Sequence, residues 1–413
     1  MTDALRPALR SFSVPNYRRY FFGQLVSLSG TWMQTVAEMW LVLQLTHSGV
    51  AVGFAAALQF APMLLVGAWG GLIADRFPKR RLLIATQTAM ALPALALLAL
   101  TATGAIELWM LYLLICARGA VNAVDNPARQ AFLVELVGPD RLVNAVSLGS
   151  ALINGARTVG PALAGVLIAT AGVVPCFGLN ALSFAAMILA LHGMDRAALR
   201  SVPPTPRRPG QLRHGLRYVR ATPELWIPLA LMAIVGTFTF NFQTLLPLLA
   251  TFGFGGGAGA YAALTTAMGL GAIAGAIANS ARSRVRPALL AGAAAAFGAL
   301  VIAAAAAPSL ALAALALVPV GAASVIFAAS VNSFLQLAVA PHMRGRVMAL
   351  YSVVFLGSTP IGGPLMGWIA GAAGPRAALA LGGLVALAAA AWARATFARV
   401  GIAAGEPAPA TAA

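Results

Sequence analysis

Twelve apolar runs, each long enough to cross a bilayer, divide the chain: 20–44, 50–73, 81–103, 108–127, 143–170, 175–194, 224–250, 259–281, 287–307, 309–335, 347–372 and 376–394. A membrane-crossing helix needs about 20 mostly apolar residues. Inside lipid, only a helix or a closed barrel satisfies its own backbone. Barrel strands alternate apolar and polar residues, and these runs do not. Only 9% of the 413 residues are charged, against about 25% in a soluble domain. The expected fold class is therefore an all-α polytopic membrane protein, with twelve transmembrane helices in two pseudo-symmetric six-helix halves.

The placement of charge orients these helices. The net charge is +17, from 27 basic and 10 acidic residues. The basic residues fall between the runs instead of forming one stripe, which argues against a nucleic-acid partner. With the N-terminus inside the cell, 24 of the 27 lie on the inner side, among them Arg6, Arg207, Arg208, Arg282 and Arg284. By the positive-inside rule both termini are expected to be cytoplasmic. The basic N-terminal stretch lacks a short apolar core with a small-residue cleavage site, so the first run is expected to be retained as a helix. Cys116 and Cys176 lie in apolar segments without metal-binding spacing and are expected to be free thiols.

The longest connection contains SVPPTPRRPG, which reads as a flexible linker. In the LRHGLRYVR that follows, Leu212, Leu216 and Val219 share a helical face among arginines, as suits a helix lying on the anionic inner leaflet. The expected organisation is 1–194 as a six-helix half, 195–223 as a cytoplasmic linker with an amphipathic helix, and 224–413 as a second half with a short tail. Internal echoes support duplication. Gly71–Asp75 (GLIAD) matches Gly275–Asn279 (GAIAN) and Val143–Ala145 matches Val347–Ala349, both at an offset of 204, and Gly160-Pro161 matches Gly363-Pro364 at 203.

Ionisable groups at membrane depth cost about 2.5–3.5 kcal/mol or more each, so they point to function. Four stand within the runs, all in the first half: Glu38, Arg118, Asp125 and Arg157. They belong to polar stripes at helical spacing. One is Gln24, Ser27, Thr31, Gln34 and Glu38; a second is Arg118, Asn122, Asp125 and Arg129; a third is Ser147, Ser150, Asn154 and Arg157. A carboxyl group's proton affinity rises on desolvation and falls as a guanidinium approaches. Glu38 opposed by Arg118 or Arg157 is thus a candidate proton carrier, with Asp125 the second candidate. The alternative is a permanent structural ion pair, and the arginines could instead meet an anionic substrate. One proton moving down 100 mV supplies about 2.3 kcal/mol, enough for a roughly 50-fold gradient of a neutral solute. In the seventh run, Phe238 with Phe242 and Thr237 with Asn241 and Thr244 share helical faces, a candidate aromatic and hydrogen-bonding wall. Plain helix packing explains these residues equally well.

After the second run the chain reads GGLIADRFPKRR. Here Asp75 stands beside Arg76, Lys79, Arg80 and Arg81, and small residues such as Gly71 permit close helix approach. This stretch is similar to the loop signature of the major facilitator superfamily. NYRRYFFGQLVSLSGTWMQTVAEMWLVLQLTHS, DNPARQAFLVELVGPDRLVNAVSL, NALSFAAMILAL and LRHGLRYVRATPEL resemble the branch that includes the bacterial enterobactin exporter. The resemblance runs over about residues 12–380. It implies the major facilitator fold, a bacterial inner-membrane location and a monomer. It also implies a latch made by Gly71, Asp75, Arg76, Arg80 and Arg81, with Asp125 matching the acid that partners this loop. In the fifth run Gly155, Gly160, Pro161 and Gly165 are similar to the superfamily's antiporter motif, although the spacing and the final glycine pair depart from it.

The expected function is secondary active transport, a proton-coupled export of a small organic molecule, either a siderophore or an amphiphilic drug-like compound, by alternating access. Import or facilitated passage of a metabolite and a non-transporting membrane sensor are the alternatives. No catalytic cluster or nucleotide-binding loop is present, since the single lysine is Lys79. His47, His192, His214 and His342 are scattered, so no enzyme activity, metal or cofactor is expected.

Overall fold

The computed structural model describes residues 10–200, 211–280, 286–340 and 343–401. Arg6, Arg207, Arg208, Arg282, Arg284, His342 and the side chains of Leu212, Arg213 and His214 lie outside the described residues. Among those described there are fourteen α-helices and no strand. The first six are α1 (Pro15–Thr46), α2 (Gly49–Arg76), α3 (Lys79–Ala102), α4 (Leu108–Val137), α5 (Pro139–Ala171) and α6 (Val174–His192). The short α7 (Gln211–Ala221) follows the linker. Then come α8 (Pro223–Phe238), α9 (Phe242–Leu248), α10 (Ala258–Ser280), α11 (Pro287–Ala305), α12 (Leu310–Ala338), α13 (Arg344–Ala373) and α14 (Pro375–Arg399).

Eleven segments are long and apolar enough to cross a membrane, α8, α9 and the π turn Leu249–Gly253 counting together as one. At 32 residues, α1 is long enough to be the twelfth. Its mean hydropathy is diluted by the polar stripe, and most of that stripe is turned inward: Gln24, Ser27, Gln34 and Glu38 are buried. The protein is thus an all-α, multi-pass membrane protein. Helix α4 runs past the predicted end at 127 to Val137. Ala128, Phe132 and Leu136 continue one buried face beyond Pro127 and hold the extra turns against the core.

Glycine in the left-handed region makes the sharpest joints. Gly138 (φ 72°) ends α4 and leads directly into Pro139, the first residue of α5. The fifth and eleventh spans end alike, at Gly172 (φ 77°) and Gly374 (φ 89°), as expected of a duplicated unit.

The chain divides into two compact units, residues 1–46 with 58–206, and 47–57 with 207–413. In the first unit α1 packs on α5 and α6, and α3 packs on α4 and α6. Tyr17, Tyr20, Leu83, Phe132 and Met187 form much of the core near one end. In the second unit α10 packs on α12, α11 on α12 and α14, and α8 on α13 and α14. Two devices fill this unit. Phe240 lies 5.0 Å from Phe297, 6.4 Å from Phe327 and 5.9 Å from Phe355, ring centroid to ring centroid. Gly298 and Gly383 let α11 and α14 touch, since a Cβ on either would fall 2.6 Å from the other's carbonyl oxygen. Helix α7 rests on α8 and α13, burying Val219 and leaving Leu216, Arg217 and Arg220 exposed.

Candidate functional site

The first unit contains the buried charge. Glu38, on α1, is 0% exposed. Its Oε1 accepts from Gln34 Nε2 at 2.7 Å, one turn earlier on the same helix. Its Oε2 accepts from Arg118 Nη2 of α4 at 2.5 Å. The network continues across α6, where Asn180 Nδ2 donates to Gln34 Oε1 at 2.5 Å and Ser183 Oγ donates to Asn180 Oδ1 at 2.8 Å. Gly30 makes room for this last pair, because a Cβ there would fall 2.5 Å from Asn180 Oδ1. The carboxylate joins α1 to α4, and Gln34 extends the network to α6; bonds to the carboxylate are charge-assisted and strong in a low-dielectric interior. Arg118 keeps one buried nitrogen, Nε, without an acceptor among the described residues.

A second network surrounds Asp125 on α4. Its Oδ1 accepts from Thr86 Oγ1 at 2.6 Å and Gln87 Nε2 at 3.0 Å, both on α3. Its Oδ2 is bonded by Arg129 Nε, one turn on along α4. Ser27 Oγ of α1 donates to Gln87 Oε1 at 3.1 Å and ties the network to the first stripe. The resemblance matched Asp125 to an acid that partners the loop after span two. In this structure its oxygens bond to α3 and to Arg129.

Arg157 of α5 is different. It is half-buried, its Cζ lies 5.3 Å over the Trp32 ring, and no carboxylate is within ion-pairing distance among the described residues. Of the two arginines expected to oppose Glu38, the structure pairs Arg118. A cation over an indole recovers about 2 kcal/mol when desolvated, short of the roughly 2.5–3.5 kcal/mol or more that a charge costs at the bilayer centre. Trp32 itself is seated by Gly160, where a Cβ would fall 2.6 Å from the Trp32 Cβ. The antiporter-like motif thus places α5 against α1: Gly160, Pro161 and Gly165 are buried, while Gly155 faces open space.

The remaining candidates are spread out. Arg80 is buried and caps the end of α6, its Nε donating to Leu191 O at 2.7 Å and its Nη2 to His192 O at 3.1 Å. Gly71 is buried, Asp75 half-buried, and Arg76 and Arg81 exposed. Asn122 is half-buried, and Asn154 Nδ2 donates to Ser150 O at 2.9 Å. In the second unit the helical faces read across 237–244 are interrupted, because α8 stops at Phe238 and α9 starts at Phe242. Asn241 turns back to donate to Thr237 O at 2.7 Å, and Phe240, not Phe238, enters the aromatic cluster. Asn180, Ser183, Thr86 and Gln87 were missed by the sequence reading. Each is a polar residue inside an apolar run, a signal visible once all polar in-span positions are weighed, not only the ionisable ones.

Eleven apolar spans with the long α1, and an ion pair buried between two of the helices, define a multi-pass helical membrane protein of the major facilitator fold. The chain belongs to the transmembrane secretion effector family, whose model matches residues 7–407. It is similar to the staphyloferrin A transporter of Staphylococcus aureus (strain NCTC 8325 / PS 47), 32% identical over 237 residues, 56% of this chain and 58% of that one. The chain thus spans little more than half the length of that relative. It is also similar to the enterobactin exporter of Salmonella choleraesuis (strain SC-B67), 25% identical over 383 residues and 89% of each chain. In fold it is similar to a bacterial homologue of the human lysosomal transporter Spinster, with a TM-score of 0.71, 15% identity, and coverage of 94% of this chain and 96% of that one.

Proposed function

We propose that this transporter is a proton-coupled exporter of a small organic molecule, a siderophore or an amphiphilic drug-like compound, working as a monomer in the bacterial inner membrane. Both termini are cytoplasmic in this reading, and the halves 1–194 and 224–413, joined by 195–223, alternate access to the two sides. The observation that carries coupling is the Glu38–Arg118 pair, a fully buried carboxylate held across two helices. Separating the helices withdraws the guanidinium from Glu38 and favours proton uptake, and rejoining them favours release. Export is supported by the similarity to the enterobactin exporter and by the antiporter-like Gly160-Pro161 motif.

The test is substrate-induced proton movement in proteoliposomes, with enterobactin among the compounds offered, comparing the parent with Glu38→Gln. Glu38→Gln is expected to bind the compound and abolish the associated proton flux. Equal flux in both proteins would reduce the Glu38–Arg118 pair to a structural brace and move coupling to Asp125, the other buried carboxylate.

A further inference from the structure

We propose that Arg157, seated on Trp32, is the receptor for an anionic group on the transported molecule, and that the molecule carries an apolar or aromatic body next to that charge. The inference rests on the reading of the chain as a transporter and names the substrate class. It begins by elimination among the arginines of the first unit's spans. Arg118 is taken by Glu38 and Arg129 by Asp125. Arg157 has only the indole face, with no acceptor for its N–H groups among the described residues. That face offsets part of the desolvation of a guanidinium and leaves its hydrogen-bonding edge unused.

The surroundings separate Arg157 from the internal braces. Most of the stripe on α1 that ends at Glu38 is buried, and its Ser27, Gln34 and Glu38 are engaged with α3, α6 and α4. The stripe on α5 that ends at Arg157 is open, with Ser147 and Ser150 exposed and Asn154 half-buried. A charged residue at the end of an open polar stripe within a span marks a water-filled path. A guanidinium binds planar oxyanions through paired N–H groups. The indole beside it supplies the flat apolar surface on which the adjoining body of such a molecule would lie. Gly160 fixes that indole, so the same motif that packs α5 on α1 builds the receptor.

The experiment uses the full chain in nanodiscs and two probes with the same aromatic body: 8-anilinonaphthalene-1-sulfonate, an anion, and N-phenyl-1-naphthylamine, its neutral counterpart. The expected result is saturable binding of the sulfonate that weakens about 10-fold in Arg157→Gln. Arg157→Lys should lose less, Trp32→Leu should weaken binding of both probes by a few fold, and binding of the neutral probe should stay within about 2-fold in the two Arg157 variants. The proposal is overturned if the parent shows no preference for the sulfonate, or if Arg157→Gln weakens both probes alike, which would mean lost packing. Proton-driven movement of the sulfonate in proteoliposomes tests transport separately. Arg157-dependent sulfonate binding without any such transport upholds the receptor and removes the transport reading. Transport with sulfonate binding indifferent to Arg157 does the reverse.

Discussion

The two units share a helical plan and differ in what fills them. In the first, polar side chains reach across helices: Glu38 to Arg118, Asn180 to Gln34, Thr86 and Gln87 to Asp125. In the second, described polar side chains mostly bond to nearby backbone, as Asn241 does to Thr237 and Ser324 to Gly321, or leave a buried oxygen unpaired, as in Thr244 and Ser330. Its cohesion comes from phenylalanine rings and facing glycines. Lipid gives helices no hydrophobic reason to associate, so close packing must suffice. The second unit shows that on this plan it does. Charge in the first unit is therefore an addition to the scaffold, and an expensive one, which is why the proposed proton coupling is assigned there.

If that contrast is real, unfolding free energies in detergent should fall in a definite order. Arg118→Leu strands a buried carboxylate and is expected to cost about 3–5 kcal/mol, with the double variant Glu38→Leu/Arg118→Leu recovering much of it. A loss below 1 kcal/mol would remove the distinction between the units. Gly30→Val drives a branched side chain into Asn180 and Ser183 and should cost about 1–3 kcal/mol. The denaturation midpoint of Gly30→Ser, smaller and polar, should fall between parent and valine. Thr86→Val deletes one bond to a charged acceptor and should cost about 1–2 kcal/mol, read from the same titrations. Asn241→Leu in the second unit should change stability by no more than about 0.6 kcal/mol. A larger loss there would show that the second unit also depends on a polar network.

Much of this was legible in the sequence, and the limits are physical. Apolar runs twenty residues long report spans directly, because lipid leaves the backbone no other solution. The stripe from Gln24 to Glu38 was visible at helical spacing, and the structure buries four of its five members. Spacing on one helix does not, however, say which neighbour it meets. Arg118 and Arg157 were equivalent on paper, and only the packing of α4 and α5 around α1 gave Glu38 to the first and Trp32 to the second. The seventh span failed for another reason. Its residues 238–242 alternate phenylalanine with Thr239 and Asn241 and carry no glycine or proline to mark a break, while the chain stops being helical at Thr239 and Phe240 joins a cluster built by remote spans.

The bonds of α1 also set a problem of timing. Arg118 lies 80 residues after Glu38, and Asn180 lies 146 after Gln34. At about 5–20 residues per second, α1 waits about 4–16 s for its guanidinium and about 7–29 s for its amide. Through that interval it is the helix least able to remain in hydrocarbon on its own account. This segment would then settle only after its partners on α4 and α6 have emerged. Substitutions at Arg118 or Asn180 would accordingly surface as failures of biogenesis and clearance by proteases before any loss of activity could be seen.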